Sequence, residues 1–258
     1  MKLQDKLFGT FARLRHRVTA ANTMGFGIHS PYLFNIARAI VPCRYPYYAF
    51  DAIGQLRKEL LLCDDVIRMS AAGDGAQQAL PIRQIARQAL RPVREEQLLM
   101  RLAVMLHARE IVVSGDGLGV STAYLAMSDS RAHVTAFEAL APLAEVAQRN
   151  WQQLGICNIC CMPESSLPGW QPAAPLDMAV ISAGHSPEAT MRHFEAFLRH
   201  ADRKSLFVLT DIHYSRSMQT AWENICRHSS VTATMDLCSL GLVFFDPNLE
   251  KKTYRIRM

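Results

Sequence analysis

Three glycines and one glutamate carry the clearest chemical signal in this sequence. Gly115, Gly117 and Gly119 follow the apolar run 111–113 and precede a helix-forming segment, which predicts a strand, a tight turn and a helix. Glycine lets the backbone approach a ligand closely, and the helix start offers unpaired N–H groups. Glu138 ends the next predicted strand, nineteen residues after Gly119, where a carboxylate can accept hydrogen bonds from a ribose diol. These four residues therefore predict a site for a nucleotide-like cofactor.

The spacing of the glycines discriminates between cofactors. Dinucleotide-binding turns use G-x-G-x-x-G, and Val120 stands where the third glycine of that pattern would be. A hydride-transferring dehydrogenase is therefore the least favoured enzyme class.

Candidate catalytic groups follow two later strands. His185 comes shortly after the predicted strand 177–182, and Asp211 and His213 come at the end of 205–211. Ligands of open α/β sheets bind outside the carboxyl ends of the strands, and an imidazole there is suited to general-base chemistry. The alternative for His213 is a structural role in ordering the loop after the strand. His29 could close a substrate pocket or fasten the turn around it, and we favour the turn.

The elements that position these residues alternate along the chain from Arg109 onward. Predicted strands lie at 110–114, 132–138, 156–161, 177–182, 205–211, 231–237 and 241–246, with a further strand-like piece in TYRIRM. Predicted helices lie between them at 119–129, 141–154, 188–200 and 215–228. Strands separated by helices predict a parallel sheet with right-handed crossovers, whereas the last two strands are joined too closely to be parallel. The expected class is α/β, with a mostly parallel, seven-stranded, Rossmann-like sheet ending in an antiparallel hairpin.

The first hundred residues have mainly helical patterning. We predict a helical cap over residues 1–100, packed on a sheet domain at 101–258, with a loop near Gly73 and Gly75 in left-handed conformations. In the first helix Phe8, Phe11, Leu14 and Val18 recur at helical spacing. A membrane-surface helix would show this pattern, but a helix packed on its own domain is more common and is the favoured interpretation.

Composition narrows the function class. The 258 residues are 50% hydrophobic and 20% charged, which is typical of a globular protein, and the net charge of +5 is dispersed, so no nucleic-acid partner is expected. We find no apolar run long enough for an integral membrane segment and no signal peptide, so a cytoplasmic location is expected. The group Cys157, Cys160 and Cys161 has no second metal-binding pair nearby, and we interpret these residues as free thiols.

Several segments resemble a bacterial family best known from Bacteroidetes. The G-x-G-x-G turn resembles motif I of class I S-adenosylmethionine-dependent methyltransferases, in which the acid at the position of Glu138 holds the ribose hydroxyls. The order of four further segments strengthens the resemblance: GFGIHSPYLF at 25–34, VISAGH at 180–185, TDIHYS at 210–215 and GLVFF at 241–245. The resemblance implies S-adenosylmethionine as cofactor and a last strand inserted between the fifth and sixth strands of the sheet.

Three departures from that family concern acids. Val113, Ser182 and Thr210 stand where the resemblance leads us to expect carboxylates. Of the acids expected after the two later strands, only Asp211 remains. Because hard cations need several oxygen ligands, usually with carboxylates to balance the charge, a catechol-type magnesium site is not expected.

Two hypotheses follow from the resemblance and its departures. The first is a metal-independent methyltransferase with a small-molecule acceptor, in which the N-terminal segment covers the acceptor pocket. The second is a catalytically degenerate relative that serves as a binding or scaffold module. The retained glycines, Glu138 and Asp211 favour the first, and the three lost acids favour the second. A homodimer is compatible with either.

Overall fold

The computed structural model of the protein describes residues 3–70, 77–182 and 184–258. The chain forms two compact units, one built from both ends of the sequence and the other from its middle. The first unit combines Met1–Arg44 with Gln171–Met258, and the second is Tyr45–Trp170. The predicted division into a helical segment 1–100 and a sheet domain 101–258 stays a prediction.

The first unit contains helices and strands from both ends of the chain. Its helices are α1 (Leu3–Thr19), α2 (Pro31–Asn35) with a π-helical turn (Ile36–Ile40), α8 (Pro187–Leu198) and α9 (Arg216–Arg227). Its strands are β6 (Leu176–Ile181), β7 (Ala201–Thr210), β8 (Ala233–Asp236), β9 (Leu240–Phe244) and β10 (Lys252–Arg255). The hydroxyls of Ser186 and Ser215 accept hydrogen bonds from the first turns of α8 and α9, which accounts for where these helices begin.

The second unit holds the glycine turn. Its helices are α3 (Ala49–Leu62), α4 (Ile82–Ala89), α5 (Val93–Leu106), α6 (Val120–Ala126) and α7 (Ala141–Gln153), with a 3-10 turn at Glu164–Gly169. Its strands are β1 (Val66–Ser70), β2 (Gln77–Pro81), β3 (Glu110–Ser114), β4 (His133–Glu138) and β5 (Ile159–Pro163). Leu118, Tyr124 and Trp151 belong to one buried cluster that joins the helices of this unit.

The eight strands from β3 to β10 form one sheet in the order β10-β8-β9-β7-β6-β3-β4-β5. Strands β3, β4 and β5 pair in parallel, as do β6 and β7. Strand β9 lies between β7 and β8 and is antiparallel to both, which confirms the predicted closing hairpin and its place in the sheet. The predicted fold class is confirmed.

The sheet has eight strands, so the predicted seven were one too few. The additional strand is β10, which pairs in parallel with β8. Buried and exposed residues alternate at this end of the chain, as expected of a strand. Tyr254 and Ile256 are buried, whereas Arg255 and Arg257 are exposed.

A separate two-stranded sheet corrects the prediction for the segment before α4. Strands β1 and β2 pair antiparallel, with Val66 opposite Pro81 and Ser70 opposite Gln77, where the sequence led us to expect a loop. Ile67 of β1 is buried and belongs to the core of the second unit. Gly73 and Gly75, predicted to be left-handed, lie outside the described residues.

Helix α1 is oriented differently from the prediction. Gly9, Ala12 and His16 form its buried face, whereas Phe11, Leu14 and Val18 are exposed. The small residues allow close approach, since a Cβ on Gly9 would lie 3.6 Å from the carbonyl oxygens of His213 and Tyr214. Helix α1 thus packs on its own unit, as the favoured interpretation has it, but through these residues and not through the apolar stripe. Among the described residues no helix has both the length and the hydropathy needed to span a bilayer.

Candidate functional site

The three glycines of the turn all have positive φ, but their surroundings differ. The φ angles of Gly115, Gly117 and Gly119 are 71°, 68° and 78°, a region that side chains with a Cβ rarely adopt. A Cβ on Gly117 would meet no atom within 4 Å, whereas one on Gly119 would lie 2.6 Å from Nε1 of Trp151. Gly119 is therefore needed for packing of the turn against α7, and Gly117 borders open space.

Asp116 satisfies the N-terminal donors of the helix that follows the turn. Its Oδ1 accepts a hydrogen bond of 3.1 Å from the backbone N–H of Ser121, and its Oδ2 accepts one of 2.8 Å from that of Thr122. The hydroxyl of Thr122 donates a third, of 2.7 Å, to the same carboxylate. The start of α6 therefore already holds an anionic group supplied by the chain, and it does not offer these donors to a phosphate.

Glu138 reaches back to the glycine turn from the end of β4. Its Oε2 accepts a hydrogen bond of 2.9 Å from the N–H of Gly117, and its Oε1 accepts one of 3.2 Å from Leu140. Burial raises the pKa of this carboxyl, the two N–H donors oppose that rise, and the charge of Asp116 adds to it. Each carboxylate oxygen retains accepting capacity, because an ionised carboxylate has about four lone-pair positions.

A buried ion group supports α6 from within the second unit. Nη1 of Arg91 donates a hydrogen bond of 2.7 Å to the hydroxyl of Ser121 and lies 3.9 Å from Oε1 of Glu96. Burial raises the pKa of Glu96 to about 7, although the charge of Arg91 acts in the opposite direction. Arg57 closes the group by donating to the carbonyl of Arg91 at 2.7 Å. Ser121 is therefore held at two groups: its backbone N–H donates to Asp116, and its hydroxyl accepts from Arg91.

In the first unit, His185 and Asp211 come together. Nε2 of His185 lies 3.4 Å from Oδ2 of Asp211, and both side chains are partly exposed. The imidazole stacks on the ring of Tyr214, with centroids 3.7 Å apart and planes 8° from parallel. Both His185 and Asp211 have positive φ, 63° and 56°, although neither is glycine. Such strained residues are commonly found at active sites, where the surrounding structure holds them in place.

His213 belongs to a different and buried group. Its Nε2 lies 2.9 Å from Oδ2 of Asp236, and its Nδ1 is buried with no hydrogen-bond partner among the described residues. His16 of α1 uses the same carboxylate, with its Nε2 3.2 Å from Oδ1 and 2.9 Å from the Asp236 carbonyl oxygen. The structure thus separates His213 from His185 and Asp211, and it favours the structural interpretation of His213.

The positions that depart from the family pattern hold no replacement acids. Val113 and Thr210 are buried, and Ser182 is half-buried. Within the described parts of the chain, no group of three or more His, Cys, Asp or Glu side chains could hold a metal ion. His29 is exposed, beside Ser30, whose hydroxyl caps α2. All seven cysteines are free thiols, including Cys157, Cys160 and Cys161.

Sequence reasoning missed Asp116, Tyr214 and Asp236. Asp116 lies inside the glycine motif, and an acid shortly before a predicted helix start was a signal that could have identified it. The pairing of His213 with Asp236, 23 residues away, left no trace in the local pattern.

The strand order and the antiparallel position of β9 define the Rossmann-like fold of class I methyltransferases. Solved structures with this fold include the O-methyltransferase TomG of Streptomyces achromogenes, involved in tomaymycin synthesis and in complex with S-adenosylmethionine. It is 14% identical over 95% of this chain and 99% of its own, with a TM-score of 0.57. An O-methyltransferase of Bacillus cereus in complex with S-adenosylhomocysteine is 15% identical over 82% of this chain and 96% of its own, with a TM-score of 0.53.

A third structure, the S-adenosylhomocysteine-bound methyltransferase PaMTH1 of Podospora anserina, has a TM-score of 0.58. It is 6% identical over 84% of this chain and 96% of its own. No protein-family model matches the sequence, and no curated protein matches it significantly. At these identities the likeness shows the fold.

Proposed function

We propose that the protein is an S-adenosylmethionine-dependent methyltransferase that acts on a small-molecule acceptor without a divalent metal ion. One observation carries the proposal: the turn between β3 and α6 presents carboxylates and an open position at Gly117, while its helix donors are already used by Asp116. A pyrophosphate would be repelled there. S-adenosylmethionine carries a ribose diol and a cationic sulfonium and has no phosphate, so its chemistry fits this turn.

The residues of the turn have distinct proposed roles. The open position at Gly117 lets the adenosine part approach the backbone, and Glu138 accepts hydrogen bonds from the ribose hydroxyls. The carboxylate of Asp116 keeps the turn in shape and adds negative charge. Gly115 supplies the left-handed backbone conformation at the start of the turn. Gly119 allows the turn to pack against Trp151.

His185 is the proposed base for the acceptor. When bound, S-adenosylmethionine supplies a sulfonium methyl group to a nucleophilic oxygen or nitrogen. With the Nε2 proton of His185 directed at Asp211, the lone pair on Nδ1 is available to take the proton that the acceptor loses. Asp211 then stabilises the imidazolium, and stacking on Tyr214 fixes the orientation of the imidazole ring. His213 would act only indirectly, by holding the loop after β7.

Calorimetric titration with S-adenosylmethionine and S-adenosylhomocysteine tests the cofactor site. Glu138→Gln keeps the shape of the side chain but removes its charge. A hydrogen bond to a charged group is worth about 1.5–3 kcal/mol, so the variant should bind about one to two decades more weakly. Glu145→Gln, which changes an exposed glutamate of α7, should bind like the wild type. Equal affinity for Glu138→Gln and wild type would show that the ligand is held elsewhere.

Gly117→Val tests whether the open position belongs to the ligand. The side chain fills space that no protein atom occupies and should abolish binding. Gly155→Val is the matched control, since Gly155 also has positive φ, 67°, with no atom within 4 Å of a Cβ. The two positions match in φ and in open space, so loss of binding in Gly117→Val alone, with Gly117→Ala still binding, would assign the space to the ligand. Equal loss in both would attribute the effect to strain.

Release of S-adenosylhomocysteine tests the proposed base, with a panel of phenols, carboxylic acids and amines as acceptors. His185→Gln should lower turnover by about two to four decades at neutral pH while leaving cofactor affinity unchanged. His29→Gln, at an exposed histidine, is the control. Turnover that survives in His185→Gln with its pH profile intact would remove this residue from the mechanism.

The alternative is a catalytically degenerate protein that serves as a binding or scaffold module. Its support is that Val113 and Thr210, both buried, replace acids that the resemblance leads us to expect. If the wild-type protein binds neither S-adenosylmethionine nor S-adenosylhomocysteine at millimolar concentration, this alternative is the better description.

A further inference from the structure

The solvent-facing side of α1 carries an apolar stripe. Phe11, Leu14 and Val18 expose 64%, 62% and 80% of their surface, and their spacing of three and four residues places them in one stripe. The opposite side of the helix is anchored to the first unit through His16 and Asp236. Single exposed apolar residues are common, but a contiguous stripe on an anchored helix marks an interaction surface.

The segment after α1 extends this apolar surface. Met24 and Phe26 are 58% and 71% exposed in the turn between α1 and α2. The C-terminal segment lies against the same region, because Nη2 of Arg257 donates a hydrogen bond of 2.8 Å to the carbonyl of Arg17. The backbone N–H of Arg257 donates another, of 2.8 Å, to the hydroxyl of Thr23. The surface therefore combines α1, the turn after it and the end of the chain.

Exposed basic side chains flank this surface. Residues 6–50 and 251–258 contain ten of the 28 lysines and arginines of the chain and none of its 23 acids. Arg15 and Arg17 are exposed on α1 within one turn of Leu14. Arg257, which contacts the carbonyl of Arg17, is exposed too, as is Arg255 two residues before it. The rest of the chain, with 18 basic and 23 acidic residues, is net acidic. Exposed positive charge on α1 and on the C-terminal segment therefore lies beside the exposed apolar side chains.

We propose that this surface, defined as Phe11, Leu14, Val18, Met24 and Phe26 with Arg15, Arg17, Arg255 and Arg257, docks the protein on an anionic lipid bilayer. An interfacial helix needs an apolar stripe flanked by basic residues. Its apolar side chains enter the boundary of the acyl chains, and its arginines contact the anionic headgroups. A second copy of the chain fits less well, because self-pairing would place arginines against arginines without an acid from these segments. A nucleic acid would meet the arginines but give the apolar stripe no partner.

Cosedimentation of the full-length protein with lipid vesicles tests the proposal. Vesicles of mixed phosphatidylcholine and phosphatidylglycerol should bind the protein, vesicles of phosphatidylcholine alone should bind it much more weakly, and salt should weaken the binding. Leu14→Ser with Val18→Ser should lower the partition coefficient about tenfold or more, because both changes remove apolar burial without touching the anchored face. Arg15→Gln with Arg17→Gln should lower it about fivefold for each charge removed.

Matched controls lie outside the surface. Leu62→Ser changes a leucine of α3 that is 78% exposed, and Arg203→Gln changes an exposed arginine of β7; both should bind vesicles like the wild type. Circular dichroism of each variant checks that it is folded. The proposal is overturned if anionic vesicles do not bind the protein or if the controls lose as much binding as the surface variants. It is also overturned if Leu14→Ser abolishes a dimer seen by ultracentrifugation, or if single-stranded RNA competes fully with the vesicles.

Discussion

At the scale of single residues, one buried aspartate holds two histidines in the first unit. Burial alone would lower the pKa of His16, but the hydrogen bonds and charge of Asp236 outweigh it and raise the pKa, with Arg255 opposing. Burial alone would raise the pKa of Asp236, yet its bonds to His16 and His213 hold it well below its usual range. The group therefore links α1 to β8 most strongly when the aspartate is ionised and His16 is protonated.

The raised pKa of His16 gives a signed prediction for stability. Its contribution is complete below the ordinary histidine pKa of about 6.5 and is lost as pH rises through the higher pKa of the folded state. The contribution of Asp236 is complete above the ordinary aspartate pKa of about 4 and is lost on acidification. His16→Gln should cost about 1.5–3 kcal/mol near pH 6 and less near pH 8, measured by urea unfolding at both pH values.

Two other variants separate this effect from others. Burial raises the pKa of Glu96, so this residue also makes the protein more stable at lower pH. Glu96→Gln should therefore remove a separate contribution to the dependence of the free energy of unfolding on pH. His29→Gln, at an exposed position, is the control variant. A cost of His16→Gln that is equal at both pH values would contradict a titrating role for His16.

At the scale of elements, glycine is needed where a tryptophan of the neighbouring helix packs on a strand or turn. A Cβ on Gly241 of β9 would lie 2.5 Å from the ring of Trp222 of α9, which is itself buried. Gly119 has the same relation to Trp151 of α7, whose Nε1 also donates a hydrogen bond of 2.8 Å to the Gly119 carbonyl. These contacts limit how closely α9 packs on β9 and α7 packs on the glycine turn.

Two glycine-to-alanine substitutions should therefore have opposite signs. Gly241→Ala should destabilise the protein by about 1–3 kcal/mol, because the methyl group overpacks the contact with Trp222. Gly54→Ala, in α3 with no atom within 4 Å of the added Cβ, should stabilise it by about 0.5–1 kcal/mol through helix propensity. Thermal unfolding of the two variants measures both changes. A neutral Gly241→Ala would show that α9 can shift without cost.

The elements that sequence could predict are those with strong local periodicity. Strand β3, the glycine turn and helix α7 fall within a few residues of their predicted bounds, because alternation and glycine spacing are local properties. Strands β1 and β2 were missed because a short hairpin beside a glycine-rich segment has little periodic signal. The orientation of α1 was predicted wrongly because it depends on tertiary contacts of Gly9 and His16, which outweigh the apolar stripe.

At the scale of the whole molecule, cofactor binding should appear as added stability. A ligand that binds only the folded state at a hundred times its dissociation constant adds about 2.7 kcal/mol, which raises the midpoint of thermal unfolding. The same shift should be seen after treatment with EDTA, since Ser182 and Thr210 offer no carboxylate for a magnesium ion. A shift that disappears with EDTA and returns with magnesium would show that a metal takes part.

The left-handed backbone at His185 and Asp211 has a consequence for the directed evolution of this protein. Glycine would relax both positions, each by an amount of about 1 kcal/mol, so a library selected only for heat resistance should accumulate glycine there. Those same clones would lack the imidazole and the carboxylate. If His185 and Asp211 act as proposed, heat resistance and turnover should trade off at these two positions, while Gly115, Gly117 and Gly119 stay unchanged under either selection.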